Sequence, residues 1–388
     1  MATINIEPIL WNGISAREQH AEAYSQVIAD VLDDVVNSCG DPSRIQSIFS
    51  WAFRQLKLSD EQINEYVDDV VLFKPYFEVI KRNHAPFDYR KKQGDPNKDL
   101  LIADAEVLLK VKADVERVVC NMSVAWPDAY KHCRDLLKFL FDYEAFGGGM
   151  CVCRDSASGT FSWSGKLAGT LSGWGAYEFL RRLKVRYCPY CNAETVYAIE
   201  VCKDGKKAPI RTALDHFIPH AEYPFFGLSL YNLVPACYRC NSQIKERRNV
   251  NLATSANPYI HDIYSGYRFK VKASDVQTLG DDEDCPKFEL EVKEEKGVPD
   301  SDKTVALMKG FFDLNGVYNS LFKDEAYDII RRIRLFTPAY REMMRKSGLH
   351  RVSVSRALFG CDLRQAHITD FRHAKLVIDL KRQFSPKI

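Results

Sequence analysis

Apolar residues recur at helical spacing over most of the first 146 positions. Ser15-Ala-Arg-Glu18 forms a capping box, in which the two side chains satisfy free backbone N–H groups, and it opens a helix carrying Tyr24, Val27, Ile28, Val31, Leu32 and Val35 on one stripe. Cys39-Gly40-Asp-Pro42 stops that helix, and Ile45, Ile48, Phe49, Ala52, Phe53 and Leu56 repeat the stripe in the next. A second box, Ser59 to Gln62, opens a third helix, and the period returns from Leu100 to Val119 and from Ala129 to Phe141. The pattern predicts an all-α domain over 1–146 with no catalytic motif, suited to regulation or interaction. Residues 147–182 lose the period and are rich in Gly and Ser as far as Gly175, which predicts a connector. From Lys184 to His261 the period shortens to that of strands. Thr195 to Cys202 alternates, Lys203-Asp-Gly205-Lys turns, Pro209 to Leu214 returns, and Asn232-Leu-Val-Pro-Ala starts another strand. Tyr267 to Val271 and Phe288 to Val292 read as a hairpin around an acidic loop, Asp281 to Asp284, and helices resume at Lys303. The expected class is α+β, in four segments: 1–146, 147–182, 183–262, and a hairpin with helices over 263–388.

Composition narrows the class of protein more than its activity. The chain has 388 residues, 46% of them hydrophobic and 27% charged, which is ordinary for a globular protein of two or three domains and excludes a disordered chain or a rod. No stretch of about 18 apolar residues occurs, and the first residues lack a basic, then apolar, leader, so a cytoplasmic protein without membrane association is expected. The 54 Lys and Arg nearly balance the 52 Asp and Glu. Any preference for a polyanion must therefore be local, and residues 331–388 supply one, with 14 basic residues against four acidic. Arg331, Arg334, Arg341, Arg345 and Lys346 in that stretch are the expected nucleic-acid contacts.

The cysteines are the main chemical clue. Cys39, Cys120, Cys133, Cys202, Cys285 and Cys361 stand singly and are expected to be small buried apolar residues. Cys151-Val-Cys153 has no matching second half. Cys188-Pro-Tyr-Cys191 and Cys237-Tyr-Arg-Cys240 are two CxxC turns separated by 45 residues, the spacing of a tetrahedral Cys₄ zinc site. Gly159 to Lys166 superficially suggests a phosphate-binding loop, but five residues separate its glycines and Leu167 replaces the metal-binding hydroxyl. Between the CxxC turns, Asp215-His216 ends a strand. A carboxylate beside an imidazole offers a hard oxygen ligand and a base that titrates near neutrality. Beyond the second turn, Asn241 is expected in the first turn of a helix that carries Lys245, Arg247 and Arg248.

Leu214-Asp-His-Phe-Ile-Pro219, Tyr223-Pro224, and Asn232-Leu-Val-Pro-Ala-Cys-Tyr-Arg-Cys-Asn241 with Lys245 resemble the HNH endonuclease family in its zinc-knuckle, ββα-metal form. The resemblance spans roughly 183–262. It implies a nuclease module embedded between the helical domain and the C-terminal region, with structural zinc on Cys188, Cys191, Cys237 and Cys240. It also implies His216 as general base, Asp215 and Asn241 as ligands of a catalytic Mg²⁺ or Mn²⁺, and Asn232 as the loop-orienting residue. Asn replaces His at the third signature position, which makes that ligand a neutral amide. The implied activity is phosphodiester hydrolysis, most readily of double-stranded DNA with little sequence preference, with Lys245, Arg247 and Arg248 on the phosphates. Large flanking helical regions and the stretch Phe311 to Asn319 are similar to those of bacterial anti-phage or restriction effectors, which implies a second copy, or a sensor or ATPase chain, as partner. His220 and His261 have no role in the family pattern; His220 is expected on the surface, with a phosphate contact as its alternative. The competing reading is a zinc-ribbon module that binds nucleic acid or protein without cleaving.

Overall fold

A computed structural model describes the chain except for residues 1–3, 5, 7–9, 12–13, 89–90, 166–173, 204, 247, 273–287 and 385–388. It is a mixture of helices and small antiparallel two-stranded sheets, hence α+β. Contacts divide it into two compact units that do not follow the four expected segments. One, the helical unit, comprises Asn5–Leu183 and Ala198–Val234; the other, the cysteine unit, comprises Met1–Ile4, Lys184–Tyr197 and Pro235–Ile388.

In the helical unit the expected helices form where the caps place them. Ala16–His20, a π-helical stretch Ala21–Ser25, and Gln26–Asn37 follow one another behind the Ser15–Glu18 box. Asp41 caps Pro42–Leu56, and the Ser59–Gln62 box caps Asp60–Leu72. Lys74–Arg82, Ala105–Ala125 and Pro127–Leu140 complete the longer helices. Their apolar stripes bury Tyr24, Ile28, Val31, Leu32, Ile45, Phe49, Phe77, Leu108, Val115 and Leu137.

The Gly/Ser-rich segment expected as a connector instead carries an antiparallel hairpin, Cys151–Arg154 with Phe161–Ser164, and the helix Ala176–Leu183. The reason lies in a short alternation that composition hides. Val152, Phe161 and Trp163 are buried while Cys153 and Ser164 are exposed, so one face of the hairpin joins the core. The Trp163 indole N–H donates to the Phe139 carbonyl at 2.9 Å, and Tyr24 donates to the Trp174 carbonyl at 3.0 Å. The expected hairpin after the first CxxC turn is present as Ala198–Lys203 paired with Lys206–Arg211.

The cysteine unit is built around the hairpin Tyr267–Val271 with Leu290–Glu294, in which Phe269 lies opposite Val292. Tyr267, Phe269, Val271, Leu290 and Val292 are buried. A two-stranded sheet has two open edges, and here each is closed by a pair of helical side chains four residues apart. Asn319 accepts from the Leu290 N–H and donates to its carbonyl, both at 2.8 Å, and Asn315 accepts from the Val292 N–H at 2.7 Å. On the other strand Asp379 accepts from the Phe269 N–H at 2.9 Å, while Gln383 accepts from the Val271 N–H at 3.0 Å and donates to its carbonyl at 2.9 Å. Four helical residues rise about 6 Å and two strand residues about 6.6 Å, so i and i+4 side chains meet alternate backbone groups. The acidic loop Asp281 to Asp284 lies outside the described residues.

Of the single cysteines, Cys39, Cys133 and Cys361 are buried as expected, Cys120 and Cys202 are exposed, and Cys285 lies outside the described residues. Exposure of Cys202 follows from its place in the hairpin of Ala198–Lys203 with Lys206–Arg211, opposite exposed Lys207. No described helix is long and apolar enough to cross a membrane.

Candidate functional site

The two CxxC turns converge. The sulfurs of Cys188, Cys191, Cys237 and Cys240 all lie within 4.8 Å of one another and all four residues are buried. The Cys191 and Cys237 sulfurs are 3.8 Å apart. A tetrahedron with about 2.3 Å Zn–S bonds has an edge of about 3.8 Å, so the sulfurs already stand at the separation zinc needs. Hydrogen bonds from the other three cysteines pull the Cys191 thiol well below its ordinary range, and burial pushes Cys188 up. Four buried thiols crowded together favour a cation that takes up the charge of their thiolates. The surrounding backbone is fixed by distant side chains of the same unit. Tyr318 donates to the Cys191 carbonyl at 2.7 Å, Tyr264 to the Pro189 carbonyl at 2.9 Å, and Asn192 to the Ile368 carbonyl at 2.8 Å. Arg239 pairs with Glu194 at 2.6 Å.

In the helical unit, Asp215 and His216 end the strand Ala213–His216, which pairs with Leu233–Ala236. Both are buried, 3% and 7% exposed. His216 Nε2 lies 3.0 Å from the Gly227 carbonyl. A carbonyl only accepts, so in the neutral ring Nε2 carries the proton and Nδ1 is the basic nitrogen. The loop that provides this carbonyl is held at three consecutive oxygens. Asn232 donates to Phe226 at 3.2 Å, His216 to Gly227, and His20 to Leu228 at 2.7 Å. Asn232 also spans the loop to Ile218, accepting from its N–H at 2.6 Å and donating to its carbonyl at 2.9 Å. Gly227 is required by closeness: a Cβ there would stand 2.8 Å from the Phe141 carbonyl oxygen. Ser229 donates to the Leu100 carbonyl at 2.8 Å, and Tyr223 to Glu116 at 2.5 Å.

Aromatic rings complete the surroundings of His216. Tyr143 meets it edge-on with centroids 4.5 Å apart, and the His220 ring, tilted by 39°, has its centroid 4.0 Å away. Arg211 stands 6.0 Å from the centre of the Tyr143 ring. His220 is exposed and, with Lys138, Asp142, Tyr143, Glu144 and Pro224, lines a cleft of about 170 Å³.

Sequence and structure part company at the basic residues beyond the second CxxC turn. Arg239–Lys245 winds as a π-helix, Lys245 is buried, and Arg247 lies outside the described residues. Arg248 directs its guanidinium to the Ile244 and Phe311 carbonyls and over the Phe311 ring. Lys245 therefore offers no surface contact, because its stem is drawn into the interior with the turn. Asn241 belongs to the cysteine unit, whereas Asp215, His216 and Asn232 belong to the helical unit. Arg331, Arg334, Arg345 and Lys346 are exposed and Arg341 is half-buried. Sequence reasoning missed Tyr143, Gly227 and His20. Comparison with models of known families, with curated proteins and with solved structures finds no match.

Proposed function

We propose that the chain is a metal-dependent endonuclease of the HNH type that hydrolyses phosphodiester bonds in DNA. The observation that carries this reading is the buried strand-end His216 whose Nε2 is committed to the Gly227 carbonyl, in a loop clamped by Asn232. A base needs a defined basic nitrogen, and this arrangement selects Nδ1. His216 takes the proton from a water, and the resulting hydroxide attacks phosphorus in line with the departing 3′-oxygen. Asp215 would be a ligand of a Mg²⁺ or Mn²⁺ whose charge favours the pentacovalent transition state. The Cys₄ site would hold structural zinc, and the exposed basic residues from Arg331 to Lys346 would hold the duplex by its phosphates without reading bases. A role in restriction or anti-phage defence, with a second copy or a sensor chain restraining the nuclease, accords with such low selectivity. The second reading is binding without cleavage. It is favoured by that basic face, which would hold nucleic acid whether or not His216 acts.

One experiment separates the two. Purified protein is incubated with supercoiled plasmid in Mg²⁺, Mn²⁺ or EDTA, beside a His216→Ala variant. Cleavage that needs metal and falls by about 10²–10⁴-fold in the variant is expected. Plasmid retention without cleavage by the wild type favours the binding reading, and equal cleavage by His216→Ala removes His216 from the chemistry.

A further inference from the structure

His216 is buried, its Nε2 is engaged by Gly227 and it is met edge-on by Tyr143, yet the ring tilted against it with centroids 4.0 Å apart belongs to an exposed residue, His220. His220 and Tyr143, the two rings beside His216, line the neighbouring cleft while His216 itself does not, so a group in this cleft meets the His220 imidazole before it can reach His216. Resting on the nuclease reading, we propose that this cleft is the entry for the scissile phosphodiester and that His220 is a substrate-contacting residue. Its imidazole donates a hydrogen bond to a non-bridging phosphate oxygen and holds the diester against the base.

The charges around the cleft permit this. Lys138 lines it together with the carboxylates Asp142 and Glu144, and Arg211 stands 6.0 Å from the centre of the Tyr143 ring. Asp142 is committed locally, accepting from the Ala145 N–H at 3.0 Å as the cap of Tyr143–Gly147, and Lys138 pairs with Asp135 at 2.7 Å. A cation site made by His220 with these carboxylates is the competing chemistry. Among the described residues, however, the Cys₄ set is the one group of three or more His, Cys, Asp or Glu whose ligand atoms come together. His220 is therefore better suited to donate than to ligate. An imidazole at hydrogen-bonding reach of a phosphate also explains why an exposed histidine covers a buried one, since a purely structural cover needs no polar ring.

The test uses the full-length chain and a short duplex DNA, comparing wild type, His220→Ala, His220→Lys and His216→Ala in steady-state cleavage. Binding is measured separately by fluorescence anisotropy in EDTA. We expect His220→Ala to raise KM about 10-fold with kcat changed less than about threefold, to weaken binding in EDTA by a similar factor, and to be largely restored by His220→Lys, which keeps a donor. His216→Ala should lower kcat and leave binding intact. If wild type cleaves and His220→Ala retains its KM and binding, the inference is wrong. If His220→Ala lowers kcat alone and His220→Lys does not restore it, His220 merely supports the His216 ring and is no phosphate contact. A wild type that neither binds nor cleaves duplex DNA overturns the nuclease reading itself, and this inference with it.

Discussion

His20 sits fully inside the helical unit between two partners, donating from Nε2 to the Leu228 carbonyl and accepting at Nδ1 from the Trp174 indole at 3.0 Å. Burial pushes its pKa down from 6.5 to about 4. The folded state then binds a proton less readily than the unfolded chain, so the stabilisation is complete above about pH 6.5 and is lost as pH falls through about 4. At pH 5 the loss is on the order of 2 kcal/mol. Thermal unfolding at pH 7 and pH 5 checks this: a His20→Gln variant, although less stable at pH 7, should lose less on acidification than wild type. A variant with the full acid sensitivity of wild type would assign that sensitivity to other groups. At this scale the sequence displayed Asp215, His216 and Asn232 through their order, and the cysteines through their spacing. It could not display the Gly227 carbonyl, because a backbone oxygen has no letter of its own, nor Tyr143, which reaches His216 only after the chain has folded.

Among the elements, the stretch Phe311 to Asn319 changes meaning most. By resemblance it suggested a defence context; in the structure it places Phe312, Leu314 and Tyr318 in the core, supports the Cys191 carbonyl and closes a strand edge through Asn315 and Asn319. Asp313 caps its helix by accepting from the Gly316 N–H at 3.1 Å, and a side chain at Gly316 would collide with that carboxylate. Replacing Asn315 and Asn319 together by Ala strips three hydrogen bonds from the backbone of Leu290 and Val292. We expect a loss of about 2–4 kcal/mol in urea unfolding, with light scattering revealing self-association through the opened edge. Unchanged stability and a monodisperse double variant would show that solvent serves the edge equally well. The helices of the first 146 residues were legible because their caps and stripes are local, and the hairpin of Cys151–Arg154 was not, because four-residue strands hold too few alternations to stand out from a Gly/Ser-rich background.

For the whole molecule, the cysteine site and the division into units each support a prediction. Zinc bound by four thiolates contributes folding free energy directly, on the order of 10 kcal/mol in small zinc modules. Metal analysis should find about one zinc per chain, and Cys188→Ser with Cys237→Ser should abolish it and unfold the cysteine unit, seen as loss of near-ultraviolet dichroism. A zinc-free wild type with intact tertiary signal would remove this support. The N-terminal helices, expected as a separate regulatory or interaction domain over 1–146, share a core with Ala198–Val234: Ser229 and Leu230 bond to the Leu100 and Leu101 carbonyls, and His20 to Leu228. A fragment starting at Gly175 should therefore be insoluble, judged by sedimentation after expression. A soluble fragment with metal-dependent cleavage would restore a separate regulatory or interaction domain over 1–146. Domain boundaries were read from composition, which follows the chain in order, whereas the units are assembled from separated segments.

That interleaving also sets a timetable. A ribosome delivers the chain from its N-terminus, and a compact body cannot close before its last segment emerges. The segments of the helical unit end at Val234, and the strand paired with Ala213–His216 ends at Ala236, so this unit can form while most of the later chain is still being made. The cysteine unit cannot. Its four thiols are out once Cys240 is synthesised, but the hairpin they accompany waits for Asp379 and Gln383 on the helix Ala374–Phe384. Metal capture can thus precede the burial of its surroundings, and during that interval the nascent thiols are open to oxidation or to a competing metal. Zinc supply during synthesis, more than afterwards, should then decide the yield of native protein.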